Sequence, residues 1–256
     1  MNRRVAVIAL FLACVIGASV VAEDPPAEQK RLAVLILTGK GHHDWPATTA
    51  FLKNMFQKSG RFTVEVTENP AECDAAMLAE FDVVFNNDAG RRWGPTMEKA
   101  LLEFIAGGKG FVVMHGASAG CQGWDVYEDL CGVSARKGSG HGGYYSYKVT
   151  VVDPEHPITK RLDSYMSNVE EIYHNLLRKP TAHVLATAFS LKEQRGTGKD
   201  EPMLVVTTHG KGRNFHMVMG NTVSSMENAH WQALTLRGTE WAATGKVTLP
   251  LPDPKE

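Results

Sequence analysis

Four stretches of the chain run apolar for several residues and then stop on hydrogen-bonding or metal-binding side chains. They stop at Thr38-Gly39-Lys40-Gly41-His42-His43-Asp44, at Asn86-Asn87-Asp88, at His115 and at Gly220-Asn221. A strand that is apolar on both faces has to be covered on both, so such runs belong to a parallel sheet between helical layers. The carboxyl ends of those strands share one edge, where open α/β sheets bind ligands. Four separate segments are therefore expected to build one polar crevice.

The sequence between the runs supports this. Residues 32–37 form the first strand, and residues 46–58 place Ala50, Phe51, Met55 and Phe56 at helical spacing, with Asp44 as N-cap and Gly60 as stop. Residues 62–66 read as a strand, 71–79 as a short helix, 81–85 as a buried strand, 95–105 as a helix and 111–114 as the fourth strand. Alternation of strand and helix implies right-handed crossovers. Residues 116–146 are rich in glycine and tyrosine without a clear period, and read as a long loop or lid. Strand character returns at 147–152 and 184–188. Residues 203–208 and 213–219 read as a hairpin around His209-Gly210-Lys211-Gly212, and a last helix over 229–243 buries Trp231, Leu234 and Trp241.

The amino terminus has a separate logic. Arg3 and Arg4 precede a nearly uninterrupted apolar stretch over residues 5–21, and Val20-Val21-Ala22 offers small residues before Glu23. This order predicts a signal peptide over 1–22, a short linker over 23–30, one domain over 31–250 and a tail over 251–256. A periplasmic or secreted mature chain without a stable membrane span is expected. The whole chain has 27 Lys and Arg against 28 acids, so losing Arg3 and Arg4 leaves 25 against 28, a net charge of −3. That charge does not attract the phosphates of nucleic acid, and an apolar content of 43% suffices for one sizeable core. Cys73, Cys121 and Cys131 remain after cleavage, an odd number, with Cys121 and Cys131 near enough in sequence to bridge.

The chemistry concentrates in histidines. His42 and His43 beside Asp44 offer metal ligands, yet adjacent residues rarely face one ion, so at most one of the pair is expected to ligate. His115 meets Gly116-Ala117 in a strand-to-helix junction like a nucleophile elbow, where an exposed imidazole serves as base, acid or metal ligand. Asn86, Asn87 and Asp88 suit sugar hydroxyls or plain turn chemistry. His141 lies among flexible glycines beside Tyr144 and Tyr145. In an extended segment Glu171 and Tyr173 share one face, and Glu170, Ile172 and His174 the other, with Glu170 read as a solvated acid. His209, His216 and His230 read as structural.

Taken in order, Gly39 to Trp45, Val113-Met114-His115-Gly116-Ala117, Gly140-His141-Gly142, Asp153-Pro154-Glu155-His156-Pro157-Ile158-Thr159, Glu171-Ile172-Tyr173 and Gly210-Lys211-Gly212-Arg213 resemble the ThuA-like family, named for trehalose utilisation. The resemblance implies the class I glutamine amidotransferase-like superfamily. Its fold is a flavodoxin-like three-layer α/β/α sandwich, with a mostly parallel sheet and here a lid-like insertion after the fourth strand. Amidotransferases of that superfamily carry cysteine at the elbow. His115 stands there instead, so glutamine hydrolysis through a thiolate is unavailable. Gly220-Asn221 replaces the Gly-His of many relatives, and Glu170-Glu171 their Asp-Glu.

The resemblance implies a role in carbohydrate metabolism, as a hydrolase or lyase on a sugar or keto-glycoside. The candidate catalytic residues are His115, Glu171 and Asp44. Trp45, Asn86, Asn87, Asp88, Tyr144, Tyr173 and Asn221 are the candidate contacts to a small-molecule carbohydrate, and His42, His43 and His141 the candidate ligands of a divalent metal such as zinc. A non-catalytic carbohydrate-binding module and a metal-dependent hydrolase of another small ester or amide are the alternatives.

Overall fold

The computed structural model describes residues 30–252, so the expected signal peptide, nearly all of the linker and the end of the tail lie outside the described residues. The chain begins with β1 (Leu32–Leu37), α1 (Trp45–Lys58), β2 (Phe62–Thr67), α2 (Ala75–Ala79), β3 (Val83–Asn86), α3 (Pro95–Ala106) and β4 (Gly110–Met114). Next come α4 (Asp125–Cys131), β5 (Val133–Ser134), β6 (Gly140–His141), β7 (Lys148–Val151), β8 (Tyr165–Met166), β9 (Tyr173–His174) and β10 (Leu177–Arg178). It closes with β11 (His183–Phe189), β12 (Asp200–His209), β13 (Gly212–Met217), α5 (Val223–Met226) and α6 (Ala229–Thr244).

The main sheet has nine strands in the order β2-β1-β3-β4-β13-β12-β11-β7-β8. From β2 to β13 neighbours run parallel, because helical crossovers return the chain to the same edge. From β13 onward they run antiparallel, beginning with the tight turn at Gly210-Lys211. Leu37 lies opposite Asn86, Asn86 opposite Val113, and Met114 opposite Met217. Register thus brings the segments after β1, β3, β4 and β13 out along one edge.

Side-chain alternation divides the core into two layers. Val34 and Ile36 of β1 pack with Leu52, Met55 and Phe56 of α1 and with Trp231 and Leu234 of α6. Leu35 and Leu37 point the other way, to Met97, Leu101 and Ile105 of α3 and Tyr127 and Leu130 of α4. Each such fully buried aliphatic side chain contributes about 1.5–3 kcal/mol. The parallel pairing expected from the apolar runs is present from β2 to β13, and the three-layer α/β sandwich that the family resemblance implies is the fold observed. No helix among the described residues is long and apolar enough to cross a membrane.

Two local expectations need correction. The stretch 116–146 is not a featureless lid: it holds a 3-10 turn over His115–Ala119, then α4, β5 and β6. Trp124, Tyr127 and Cys131 recur at helical spacing and are buried, but the surrounding glycines hid that period. The helix expected over 71–79 is split into a 3-10 turn over Pro70–Glu72 and α2, which starts where the Asp74 carboxylate accepts the Met77 amide at 2.9 Å. Cys73, Cys121 and Cys131 are all buried and free, so Cys121 and Cys131 are not bridged.

Candidate functional site

His115 leaves β4 with φ 43°, a left-handed conformation that costs a non-glycine residue about 1–3 kcal/mol. The elbow expected from Gly116-Ala117 is present. Its exposure is not, since the imidazole is 2% exposed. The Tyr173 ring stacks on it with centroids 4.3 Å apart, and the His43 ring lies against it at 4.7 Å. The cover comes from distant sequence, which no local pattern could show.

The two imidazole nitrogens of His115 meet different partners. Nδ1 is 2.8 Å from the Val218 carbonyl, which only accepts, so Nδ1 carries a hydrogen. Nε2 faces Oε1 of Glu171, 3.3 Å away. Both atoms are buried, and neither makes an aligned hydrogen bond. Two acceptors facing each other need a proton or a cation between them. His43 completes the group: ligand atoms of His43, His115 and Glu171 all lie within 4.8 Å of one another.

The electrostatics agree with this donor set. Burial first, and then the His115 imidazole, lowers the pKa of His43 to about 4, leaving it neutral at physiological pH as a ligand must be. Burial pushes Glu171 upward, but its contacts with His115 and His141 outweigh that and hold the carboxyl below its ordinary value. A second Glu171 oxygen, Oε2, is 3.1 Å from Nδ1 of the partly exposed His141, which is also 3.1 Å from the Gly142 carbonyl. Tyr173 brings its hydroxyl to 3.1 Å from Nε2 of His43. β6 pairs with β9, placing His141 opposite Tyr173, so the glycine-rich segment and the Glu171 segment form one flap over the sheet edge.

Not every expected residue joins this centre. His43 turns inward, whereas His42 is exposed. Asp44 is exposed and caps α1, accepting the Ala47 amide at 3.1 Å, so it is not placed with Glu171. Asn86 is buried and bonded to the Tyr127 hydroxyl and the Asp88 amide. Asp88, also buried, accepts from the amides of Lys40 and Gly90 and from the Trp93 indole. Both therefore brace loops rather than face a ligand, because a polar residue at a strand end serves either purpose equally well. Asn221 is 3% exposed and is not among the residues lining the cavity beside His43 and His115. Tyr144 stays exposed beside His141, with ring centroids 6.3 Å apart.

Trp45, Asn87, Lys40 and Thr48 line a cavity of about 20 Å³ against His43 and His115, room for about one water-sized group. A groove of about 470 Å³ runs past His141 and Tyr173 beside Gln122, Arg136, Lys137 and Ser139. A larger concavity, about 910 Å³, lies between Tyr165, His230, Arg237 and residues 247–252 and contains none of these groups. Converging buried ligands identify a site better than volume does. Sequence reasoning missed Lys40, Gly116 and Glu170. Of these only Glu170 left a signal, its alternation with Glu171, and it is buried rather than solvated.

Residues 33–242 match the ThuA family, described as trehalose utilisation. No curated protein matches the chain. Among solved structures, a protein described as ThuA-like from Parabacteroides merdae is 26% identical with TM-score 0.82, covering 88% of this chain and 94% of its own. A second ThuA-like protein, from Bacteroides uniformis, is 19% identical with TM-score 0.70, covering 88% and 97%. The beta-galactosidase of Bacillus circulans sp. alkalophilus shares the fold over 32% of its own length and 87% of this chain, at 15% identity and TM-score 0.51. With the family matched over residues 33–242, most of its length, the chain belongs to the ThuA family.

Proposed function

We propose that this protein is an enzyme acting on a carbohydrate that carries a carbonyl group, such as a keto-glycoside, with a divalent metal such as zinc held by His43, His115 and Glu171. The observation that carries the metal is the facing pair of buried acceptors, His115 Nε2 and Glu171 Oε1, with His43 beside them. The hydrogen bond from His115 Nδ1 to a backbone carbonyl is the usual support of a ligating imidazole. A cation there supplies Lewis-acid polarisation of a substrate oxygen.

The carboxylates narrow the substrate. Ordinary glycoside hydrolysis uses two carboxyl groups flanking the bond. Among the described residues only Glu171 serves this centre, since Asp44 caps a helix and Asp88 braces a loop. Imidazole chemistry suits a proton made acidic by a neighbouring carbonyl. His141, anchored through Nδ1 to Glu171 and partly exposed, is the group placed to take that proton through Nε2. The Tyr173 hydroxyl, 3.1 Å from His43 Nε2, is a further donor for a substrate oxygen.

Metal analysis of the purified protein, followed by assay of disaccharides and their keto forms, tests this. Bound zinc and turnover of keto forms alone are expected. Affinity for both sugar forms without turnover of either would select a binding module instead. We also place the mature chain outside the cytoplasm, from the basic, apolar and small-residue order of residues 1–22. Amino-terminal sequencing is expected to start at Glu23, and an intact Met1 on the exported protein would refute it.

Gly116 gives a test that replaces none of the proposed ligand residues. A Cβ there would sit 2.8 Å from Cδ2 of His43, so Gly116→Ala must push that ring aside. Zinc affinity is expected to fall roughly 10- to 100-fold, as when a supporting residue is lost, measured by competition with a chromogenic chelator. Unchanged affinity would remove His43 from the ligand set.

A further inference from the structure

We propose that Glu170 is a positioning residue for His115, acting through the chain segment from Val218 to Asn221. The inference concerns the proposed metal centre and rests on it for its functional meaning, but its geometry stands apart. Glu170 and Glu171 are neighbours that point to opposite sides of the flap. Glu171 faces the imidazoles. Glu170, 1% exposed, reaches behind them and accepts the Gly220 amide on Oε2 at 2.9 Å.

That bond fixes the group on which His115 depends. After β13 the chain is held at Val218, whose amide donates to Met203 at 3.0 Å and whose carbonyl accepts His115 Nδ1–H at 2.8 Å. Gly220 then turns with φ 111°, its Cα so close to the Trp231 indole that a Cβ would lie 2.9 Å from the ring. A residue other than glycine is excluded there on both counts. The Val218 carbonyl is therefore clamped between β12 on one side and the Glu170 carboxylate on the other.

A second observation points to the same carboxylate. The Tyr147 and Tyr165 hydroxyls, the Trp231 indole nitrogen and the Asn221 amide nitrogen are all buried without a hydrogen-bond partner among the described residues. Tyr147 and Tyr165 lie near enough to Glu170 to feel its charge, Trp231 packs on Gly220, and Asn221 follows Gly220 in the chain. Tyr147 and Tyr165 thus bring buried donors near the Glu170 carboxyl, which is an acceptor. With it held, the His115 hydrogen stays on Nδ1 and the Nε2 lone pair stays aimed at Glu171 and His43. Freed, the ring can place a hydrogen on Nε2, where a cation would be held.

The test is the ring tautomer of His115 in the metal-free, full mature chain, read by long-range proton–nitrogen NMR. Wild type is expected to carry a hydrogen on Nδ1, held by the Val218 carbonyl. Glu170→Ala should show a mixture or the Nε2–H form with an otherwise native amide spectrum, and Glu170→Gln, which keeps an acceptor for Gly220, should stay close to wild type. Zinc affinity should fall roughly 10- to 100-fold for Glu170→Ala and less for Glu170→Gln. If Glu170→Ala does not fold, Glu170→Met keeps the volume, removes the acceptor and carries the same expectation. A folded Ala or Met variant with the wild-type tautomer would overturn the proposal. Absence of zinc binding in wild type would instead end the metal assignment, with the tautomer still deciding the role of Glu170.

Discussion

His115→Ala is expected to abolish stoichiometric zinc binding while leaving the metal-free chain folded. The loss should exceed the roughly 10- to 100-fold that follows removal of a supporting residue, because a direct ligand is gone and two remain. The fold should survive for a local reason. In the metal-free chain Glu171 keeps its second contact, Oε2 to Nδ1 of His141 at 3.1 Å, so removing the imidazole does not strand the carboxylate. The strained φ of 43° remains, and Ala tolerates it no better than His. Inductively coupled plasma analysis of purified protein and a thermal melt with chelator check both halves. A variant that keeps one zinc per chain at wild-type affinity would remove His115 from the centre.

Glu171→Gln separates charge from shape at the same position. It keeps the volume of the side chain but places an amide where a carboxylate met two imidazoles, His115 through one oxygen and His141 through the other. His141 would then lose the anion that anchors Nδ1, so the proton-transfer role assigned to it should fail together with the metal.

The layered fold was legible because burial on both faces of β1, β3 and β4 leaves an unbroken apolar run, which few other arrangements explain. Register carried the polar strand ends to one edge, and His115, His43, Glu171 and His141 converge there. What lay hidden depended on contacts far along the chain. The burial of His115 comes from Tyr173 and Glu171, and no pattern around residue 115 encodes that cover. Alternation separated Glu170 from Glu171, but only the pairing of Tyr145 with Glu170 and of β6 with β9 shows which face turns to the imidazoles. Asn86 and Asp88 stayed open between two roles in the sequence because loop bracing and ligand binding ask for the same side chains. α4 was missed because the flanking glycines broke a spacing that Trp124, Tyr127 and Cys131 otherwise keep.

Stability of the metal-free protein is expected to fall steeply as pH drops from 6.5 to 4, with the fully buried His216 one principal cause. His216 lies in β13 and is 1% exposed, with Nδ1 3.1 Å from the Cys131 carbonyl and Nε2 buried without a partner. Burial lowers its pKa from 6.5 to about 4. In the unfolded chain the ring titrates near 6.5, so between these values the unfolded state binds a proton that the folded state refuses. The contribution is therefore complete above pH 6.5 and is lost as pH falls toward 4. A difference of that size corresponds to about 3 kcal/mol, a large share of the ~5–15 kcal/mol that holds a typical domain together. His43 and His156, each lowered to about 4 chiefly by burial, act in the same direction. Glu170, raised by burial, opposes them, while Glu171 and Glu240, held below their ordinary values, add to the loss at the acid end of the range. Urea unfolding midpoints measured from pH 7.5 to 4 should show the decline for wild type and a profile flatter by about 3 kcal/mol for His216→Gln, which has no proton to gain. Parallel profiles for the two proteins would mean that His216 is not held neutral by the fold.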